Sequence, residues 1–541
     1  MTNRTRTDAL LIAGFCAFLF FYGLGQFGLI GADEPRYAQV AREMLDHRDW
    51  ITPTLGGNPW LEKPPLYYWQ AMLAYSLLGV NDAAARIPAG IDGTLLVIAV
   101  YVFFRRFRRG VEVDAALITA SCAGVVGYAR AASMDMALAA SFAIGMLSWW
   151  AWRESGKRIY LALFYICMAL GMLAKGPVAP FLAAAVIVLF ALAARESRIV
   201  LRTFWLPGIL LFCAIALPWY VAVQMRNPQF FHEFILEHNL ARFSTDLYHH
   251  RQPFWYYVPV TLLALVPWTV FVIVSLVETL RIWWKERKTV SPEPDLEWQF
   301  SMFACCWFLV PIVFFSFSQS KLPGYILPSI PAGAALLADY LHRQRSYEQY
   351  VPRALAVLHA LVAAVPIIPS LLIAYIVTEH RLPPGRPTLV ALIIAFALCA
   401  AIALTLVSRL RLRMLRFVTL IPVVLSIAAV LKLGAASIDQ KLSVRPLAVE
   451  ISGVETHPLP LAVYGVSREM EYGLEFYRNR AIIRYERGSV PAEEHLLVAP
   501  ATWKVNVAKR TTGRRVTFLG HYEPQNVDYY WVAAAATGDH S

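Results

Sequence analysis

Long apolar runs separated by short basic connectors fill the first four-fifths of the chain. Runs of spanning length lie near 9–29, 84–104, 113–131, 134–152, 159–174, 177–194, 204–224, 256–277, 299–317, 325–341, 354–377, 387–408 and 417–435. About 20 apolar residues suffice for a helix to cross a hydrocarbon core of about 30 Å. One further apolar stretch, 66–79, covers only about 21 Å as a helix and is too short to span. Charge decides its placement. If 66–79 lies along the interface, one side of the membrane receives Arg105 to Arg109, Arg153 to Arg158, Arg195 to Arg202, Arg281 to Lys288, His342 to Arg345 and Arg409 to Arg416. That is the positive-inside bias, and it collapses if 66–79 spans. The pattern predicts an all-α polytopic membrane domain over 1–435 with about thirteen transmembrane helices. The N-terminus lies inside, and large outer loops run over 30–83 and 225–255.

From 436 the pattern changes. Leu461-Ala462-Val463-Tyr464, Ala481-Ile482-Ile483-Arg484-Tyr485 and Arg515-Val516-Thr517-Phe518-Leu519 are short apolar runs bounded by Gly, Pro and charge, which is how strands read. About 105 residues are enough for a small domain. The prediction for 436–541 is a soluble α/β domain on the outer side. No internal repeat is visible.

Composition agrees with the membrane reading. Only 16% of the residues are charged, where soluble domains carry about a quarter. The net charge of +12 sits in the connectors, so nucleic acid is not an expected partner. The first run, Leu10 to Ile30, has no small-residue cleavage site before Asp33 and reads as a span rather than a cleaved signal. All seven cysteines fall in apolar segments, so neither a disulfide framework nor a cysteine-held metal is expected.

The predicted topology gathers the unusual polar residues on the outer side. Asp33, Glu34, Arg36, Glu62 and Lys63 lie in the first outer loop. Asp135 and Lys175 lie at span ends, His232, Glu237, His238 and Arg242 in the second outer loop, and Lys321 in a third. Charge beside spans is costly and usually functional, and one outer cavity explains the set. Asp33 precedes apolar Tyr37, Val40, Ala41, Met44 and Leu45 at helical spacing. This predicts an amphipathic helix on the membrane with Asp33 as its N-cap and Pro35 in the first turn. Asp33 is then either only a cap or a carboxylate acting as general base or acceptor-orienting group. The bland alternatives are a snorkelling lysine for Lys175 and a solvated loop charge for Arg242, while His249-His250 reads as loop surface rather than ligand.

Five motifs in order carry a family resemblance: Asp33-Glu34-Pro35-Arg36-Tyr37; Glu62-Lys63-Pro64-Pro65-Leu66-Tyr67-Tyr68-Trp69; Leu173-Ala174-Lys175-Gly176-Pro177; Glu237-His238 with Arg242-Phe243 and Arg251 to Pro259; and Lys321-Leu322-Pro323-Gly324-Tyr325-Ile326-Leu327-Pro328. The membrane part resembles the polyprenyl-phosphate-sugar glycosyltransferases of the GT-C fold, the ArnT and protein O-mannosyltransferase superfamily. It resembles above all the aminoarabinose transferases that modify lipid A. The resemblance implies an enzyme of the bacterial inner membrane, active as a monomer. It would move a sugar, 4-amino-4-deoxy-L-arabinose, from undecaprenyl phosphate to an outer-side acceptor, lipid A phosphate. It implies Asp33 as the catalytic carboxylate and Lys175, Arg242 and Tyr325, with Arg36, Tyr37 and Lys321, as the groups on the donor phosphate. It also implies a divalent metal, Zn or Mn, on Glu62, Asp135 and His238, while Lys63 could hold the acceptor phosphate. No motif of the family is recognised in 436–541.

A phosphate acceptor is already ionised at neutral pH and needs no strong base, so Asp33 would then orient or tune. A hydroxyl acceptor, on a protein Ser/Thr or another glycan, would make it a true base. A transporter of lipid-linked sugars also has many spans, but it places charge near the membrane midplane, and here the charges crowd one face.

Overall fold

The computed structural model describes residues 3–234, 252–286, 296–344, 353–364, short pieces between 419 and 431, 434–488 and 490–535. The chain packs as two compact units. The first takes Met1–Tyr22, Leu61–Tyr67 and Arg86–Lys432; the second takes Gly23–Trp60, Tyr68–Ala85 and Leu433–Ser541.

The first unit is helical. Among the described residues four helices are long and apolar enough to cross a membrane: Asp82–Phe107, which enters this unit at Arg86, Arg158–Lys175, Leu206–Arg226 and Trp298–Ser316. Two bent pairs bring the number to six if each is one span. Asp135–Ser155 and Val178–Ala193 are the helices of two further expected runs. The run 387–408 and most of 354–377 and 417–435 lie outside the described residues.

Two expected straight spans are broken. The run 113–131 forms Glu112–Ser121 and Ala123–Ala129, bent by 65°. Cys122 between them takes extended backbone, ψ 129. The amide of Ala123 leaves the helical ladder and donates to Val266 O at 2.8 Å. The run 256–277 forms Phe254–Ala264 and Thr269–Lys285, bent by 117°. Pro267 lies in that break and cannot donate to a continuing helix. The first helical segment also ends early. Asn3–Cys16 continues as a π-turn over Ala17–Phe21 and stops short of the expected 29. The main-chain carbonyls of Leu19 and Tyr22 accept from Arg130 at 3.0 and 2.9 Å, which satisfies acceptors that a helix end leaves open.

Trp and Tyr commonly populate membrane interfaces, but Trp149 and Trp150 do not. Both are fully buried. Trp149 stacks on Phe303 at 5.2 Å and Trp150 lies 5.1 Å from the same ring, so these rings pack helices together rather than facing headgroups. Trp255, by contrast, is exposed.

The second unit combines a helix, a tight hairpin and a mixed sheet. Helix Asp33–Asp46 packs on helix Arg468–Arg478. Its apolar stripe, Tyr37, Val40, Ala41 and Met44, is buried by protein, so the expectation that this face lies on the membrane is corrected. After it come β1 (Thr54–Leu55) and β2 (Asn58–Pro59), paired antiparallel. The C-terminal strands are β3 (Leu461–Val463), β4 (Ile482–Arg484), β5 (His495–Pro500), β6 (Val516–Tyr522) and β7 (Val527–Val532). They form one sheet in the order β4-β3-β5-β7-β6. β3 is parallel to β4 and β5, and β7 is antiparallel to β5 and β6.

Alternation along the strands covers both faces. Leu461, Val463, Leu496, Val498 and Tyr529 pack with Leu447 and Ile451 of helix Arg445–Val454 and with Met470 and Leu474 of helix Arg468–Arg478. Ala462, Leu497, Ala499 and Tyr530 pack with Val507 of helix Lys504–Arg510 on the other face. Each fully buried Leu or Val here contributes roughly 1.5–3 kcal/mol. Helix Arg468–Arg478 begins at Ser467, whose hydroxyl accepts from Met470 N at 3.4 Å. It ends at Asn479 in the left-handed region, φ 49. The start of the same unit's first segment is pinned to its last: Ile30 bridges Ser443, and Gly28 N donates to Asp439 Oδ1 at 2.7 Å.

Candidate active site

In the first unit three segments distant in sequence converge. Asp135 opens helix Asp135–Ser155 and Lys175 closes helix Arg158–Lys175. Gly176, at φ +85, stops that helix by taking a backbone conformation that side chains resist. The Lys175 ammonium pairs with Asp135 Oδ1 and stands 4.9 Å from the centre of the Tyr325 ring. Its side chain is only 14% exposed, so it is turned onto a carboxylate and a ring rather than snorkelling to water.

Tyr325 belongs to the 3-10 turn Pro323–Ser329. That turn approaches helix Asp135–Ser155 so closely that a Cβ on Gly324 would lie 2.8 Å from Asp135 Oδ1 and 2.9 Å from the Tyr128 hydroxyl. Only glycine permits the approach. Main-chain anchors hold the loop in place: Tyr257 Oη donates to Leu322 O at 3.1 Å, and Trp307 Nε1 to Pro328 O at 2.9 Å. Buried Lys321 spends its ammonium on the carbonyls of Gln252 and Ser318, at 3.1 and 2.5 Å. In this arrangement it anchors the loop that presents Tyr325. The site chemistry is a desolvated cation, a balancing carboxylate and phenol hydroxyls, a set that suits an anion arriving in low dielectric.

In the second unit the first motif assembles around Arg36. Its Nη2 donates to Asp33 Oδ1 at 2.5 Å and to Tyr37 Oη at 3.2 Å. The guanidinium lies 4.9 Å from the Tyr37 ring, 5.4 Å from Trp60 and 5.5 Å from Tyr472. Three rings around one guanidinium fix its direction. Asp33 is the first residue of its helix, with Ala32 at the N-cap, and no side chain caps the helix end. The N-cap expectation is therefore corrected: the Asp33 carboxylate, 54% exposed, points to Arg36 and to solvent. Glu34 does the local anchoring instead, accepting from Ile30 N at 2.9 Å. Pro35 falls in the first turn, as expected.

The remaining expected residues are less gathered. Glu62 and Lys63 lie in the segment Leu61–Tyr67, which belongs to the first unit. Lys63 is buried and Glu62 half-buried. His238, Arg242, His249 and His250 lie outside the described residues, and His232 is exposed. Of the expected metal set Glu62, Asp135 and His238, only Glu62 and Asp135 are described. Asp135 is already charge-balanced by Lys175, and no group of three metal-ligating side chains gathers among the described residues. Sequence reasoning missed Tyr128, and it missed Tyr472 of the Arg36 cage. Tyr472 sits in the region without a recognisable motif; its signal was the serine-capped amphipathic helix that carries it.

Residues 9–234 match the family described as dolichyl-phosphate-mannose-protein mannosyltransferase. Among curated proteins, the undecaprenyl phosphate-alpha-4-amino-4-deoxy-L-arabinose arabinosyl transferase of Photorhabdus laumondii is 30% identical over 348 residues, covering 63% of this chain and 60% of that protein. The protein of the same name from Aeromonas hydrophila is 33% identical over 331 residues, covering 59% and 58%. The chain thus spans about 60% of the length of the curated relatives it matches. Among solved structures, ArnT from Cupriavidus metallidurans bound to undecaprenyl phosphate aligns with a TM-score of 0.72 over 97% of both chains, at 21% identity. The chain shares the fold of that protein.

Proposed function

We propose that this ArnT-like chain is a glycosyltransferase that moves 4-amino-4-deoxy-L-arabinose from undecaprenyl phosphate to lipid A phosphate at the periplasmic face of the bacterial inner membrane. Thirteen spans, an inside N-terminus and a soluble periplasmic C-terminal domain belong to the same reading. The observation that carries it is the meeting of Asp135 with Lys175 and Tyr325, the latter two from separate motifs, in a chain similar to transferases named for that donor.

The chemistry follows from charge. As an acceptor oxygen attacks the anomeric carbon, the sugar–phosphate bond breaks and its electron pair leaves with the undecaprenyl phosphate. Lys175 and the hydroxyl of Tyr325, with Arg242, take up that growing negative charge. Asp135 holds the lysine in position. Arg36, fixed by its cage and by Asp33, presents a second directed cation, with the Tyr37 hydroxyl beside it. With a phosphate acceptor, Asp33 orients Arg36 and tunes its field rather than removing a proton. Lys63 is assigned to the acceptor phosphate.

No step is routed through a metal. If Glu62, Asp135 and His238 hold Zn or Mn, chelation stops turnover and the added ion restores it; undiminished turnover in chelator ends the assignment.

A second reading, transfer of a sugar to a protein hydroxyl, is favoured by the match of residues 9–234 to the protein mannosyltransferase family. Mass spectra of lipid A from cells with and without the gene separate the two. A phosphate-linked gain of one aminoarabinose supports the first reading. Unchanged lipid A with a lost protein glycoform supports the second.

A further inference from the structure

Helix Asp135–Ser155 has 21 residues and helix Arg158–Lys175 has 18, lengths of about 31 and 27 Å. Arg153 and Arg158 therefore lie about one membrane thickness along these helices from Asp135 and Lys175. A cavity of about 610 Å³ opens at that end, lined by Arg153, Arg158, Arg202 and Glu196 together with Trp152 and Trp205. A second groove, of about 290 Å³, is lined by apolar side chains including Phe164, Met168, Ala184, Ile187 and Phe212. Phe204 lines both. A basic chamber and an apolar groove thus share a wall.

The chamber also holds an unmet donor. The Arg153 side chain is 7% exposed, and its guanidinium lies 4.8 Å from the Trp150 ring and 5.1 Å from Phe190. Nη2 donates to Glu196 Oε2 at 2.6 Å and to Gln299 Oε1. Nε and Nη1 are buried with no acceptor among the described residues. A buried guanidinium donor left without an acceptor is costly, and Arg153 is one of the residues that line the chamber. Glu196 is balanced by Arg153, which leaves Arg158 and Arg202 as excess positive charge. Both are exposed, and the Arg158 guanidinium lies 5.5 Å from the Trp205 ring.

We propose that this chamber and groove form a lipid site for an anionic phospholipid, with the phosphate head between Arg153, Arg158 and Arg202 and one acyl chain in the groove between Phe164 and Phe212. Charge excess selects the head, and the shared wall at Phe204 selects a ligand that is both charged and apolar, which a free anion is not.

Native mass spectrometry of the full chain in detergent, titrated with phosphatidylglycerol, phosphatidylcholine of the same chains, or inorganic phosphate, tests this. Phosphatidylglycerol is expected to bind more tightly than phosphatidylcholine. The double variant Arg158→Gln, Arg202→Gln should weaken it about twenty-fivefold, each arginine beside an anionic head contributing about fivefold. Ala184→Phe, at an exposed groove position, should weaken both lipids alike. Equal binding of the two lipids, indifference to the arginine pair or to Ala184→Phe, or displacement of phosphatidylglycerol by millimolar phosphate would each overturn the proposal.

Discussion

Asp33 is 54% exposed and pairs with Arg36 at 2.5 Å, so its loss leaves the packing of the helix intact. Asp33→Asn is expected to lower transfer by on the order of 10²-fold, the cost of misplacing a positioned group beside the reaction, while the purified protein keeps its melting temperature. Full activity in that variant would remove Asp33 from the reaction. Lys175 is different because it shields Asp135. Lys175→Ala should weaken donor binding and also lower stability by stranding a carboxylate 16% exposed. The double variant with Asp135→Asn should recover stability but not donor binding, and recovery of both would make the pair merely structural. Lys175, Asp135 and Arg36 were legible as residues, because charge next to an apolar run stands out, and Tyr325 through the motif that holds it. Their partners were not: a carboxylate–ammonium pair joined across 40 positions and a ring from position 472 have no signature in local spacing.

Most elements were legible as apolar runs, but their breaks were not. No proline marks the break at Cys122, and at the 65° bend Ala123 N bonds instead to Val266 O, far along the chain. β5 escaped notice because it is central: His495–Pro500 is flanked by β3 and β7 and buried nearly throughout, so it lacks the alternation that marks a half-exposed strand. The turn Pro323–Ser329 shows how much one element can demand of one residue. Gly324→Ala should force Asp135 or Tyr128 aside, since the new Cβ would meet them at 2.8 and 2.9 Å. A displacement of that size near reacting groups costs on the order of 10²-fold in rate. Measuring kcat with saturating donor checks this, and a rate within twofold of the parent would show that the turn yields freely.

Across the whole molecule, the second unit stores a pH dependence in its helix contact. Glu475 on helix Arg468–Arg478 is pushed up to about 8, by burial first and then by Glu43 and Glu471, with Arg484 opposing. Glu43 already accepts from Gly56 N, Gly57 N and Gln39, so Glu475 stays protonated in the folded chain through neutral pH. An acid whose folded pKa exceeds its unfolded value stabilises fully below the unfolded value and loses that contribution as pH rises through the folded one. The window here runs from about 4.5 to about 8. The parent should therefore melt at a lower temperature at pH 8.5 than at pH 5. Glu475→Gln should flatten that difference in a thermal melt; an unchanged slope would assign it to other groups.

Helix Asp33–Asp46 is covered by helix Arg468–Arg478, and that cover is made about 420 residues later in synthesis. At a ribosomal rate of roughly 5–20 residues per second, the early helix waits about 20–90 s for it. During that interval Tyr37, Val40, Ala41 and Met44 have no native partner there, while the chain around them is being inserted. That face stays apolar and uncovered by helix Arg468–Arg478 until the late segment is made. A chain cut anywhere before the C-terminal sheet would leave it permanently without that cover.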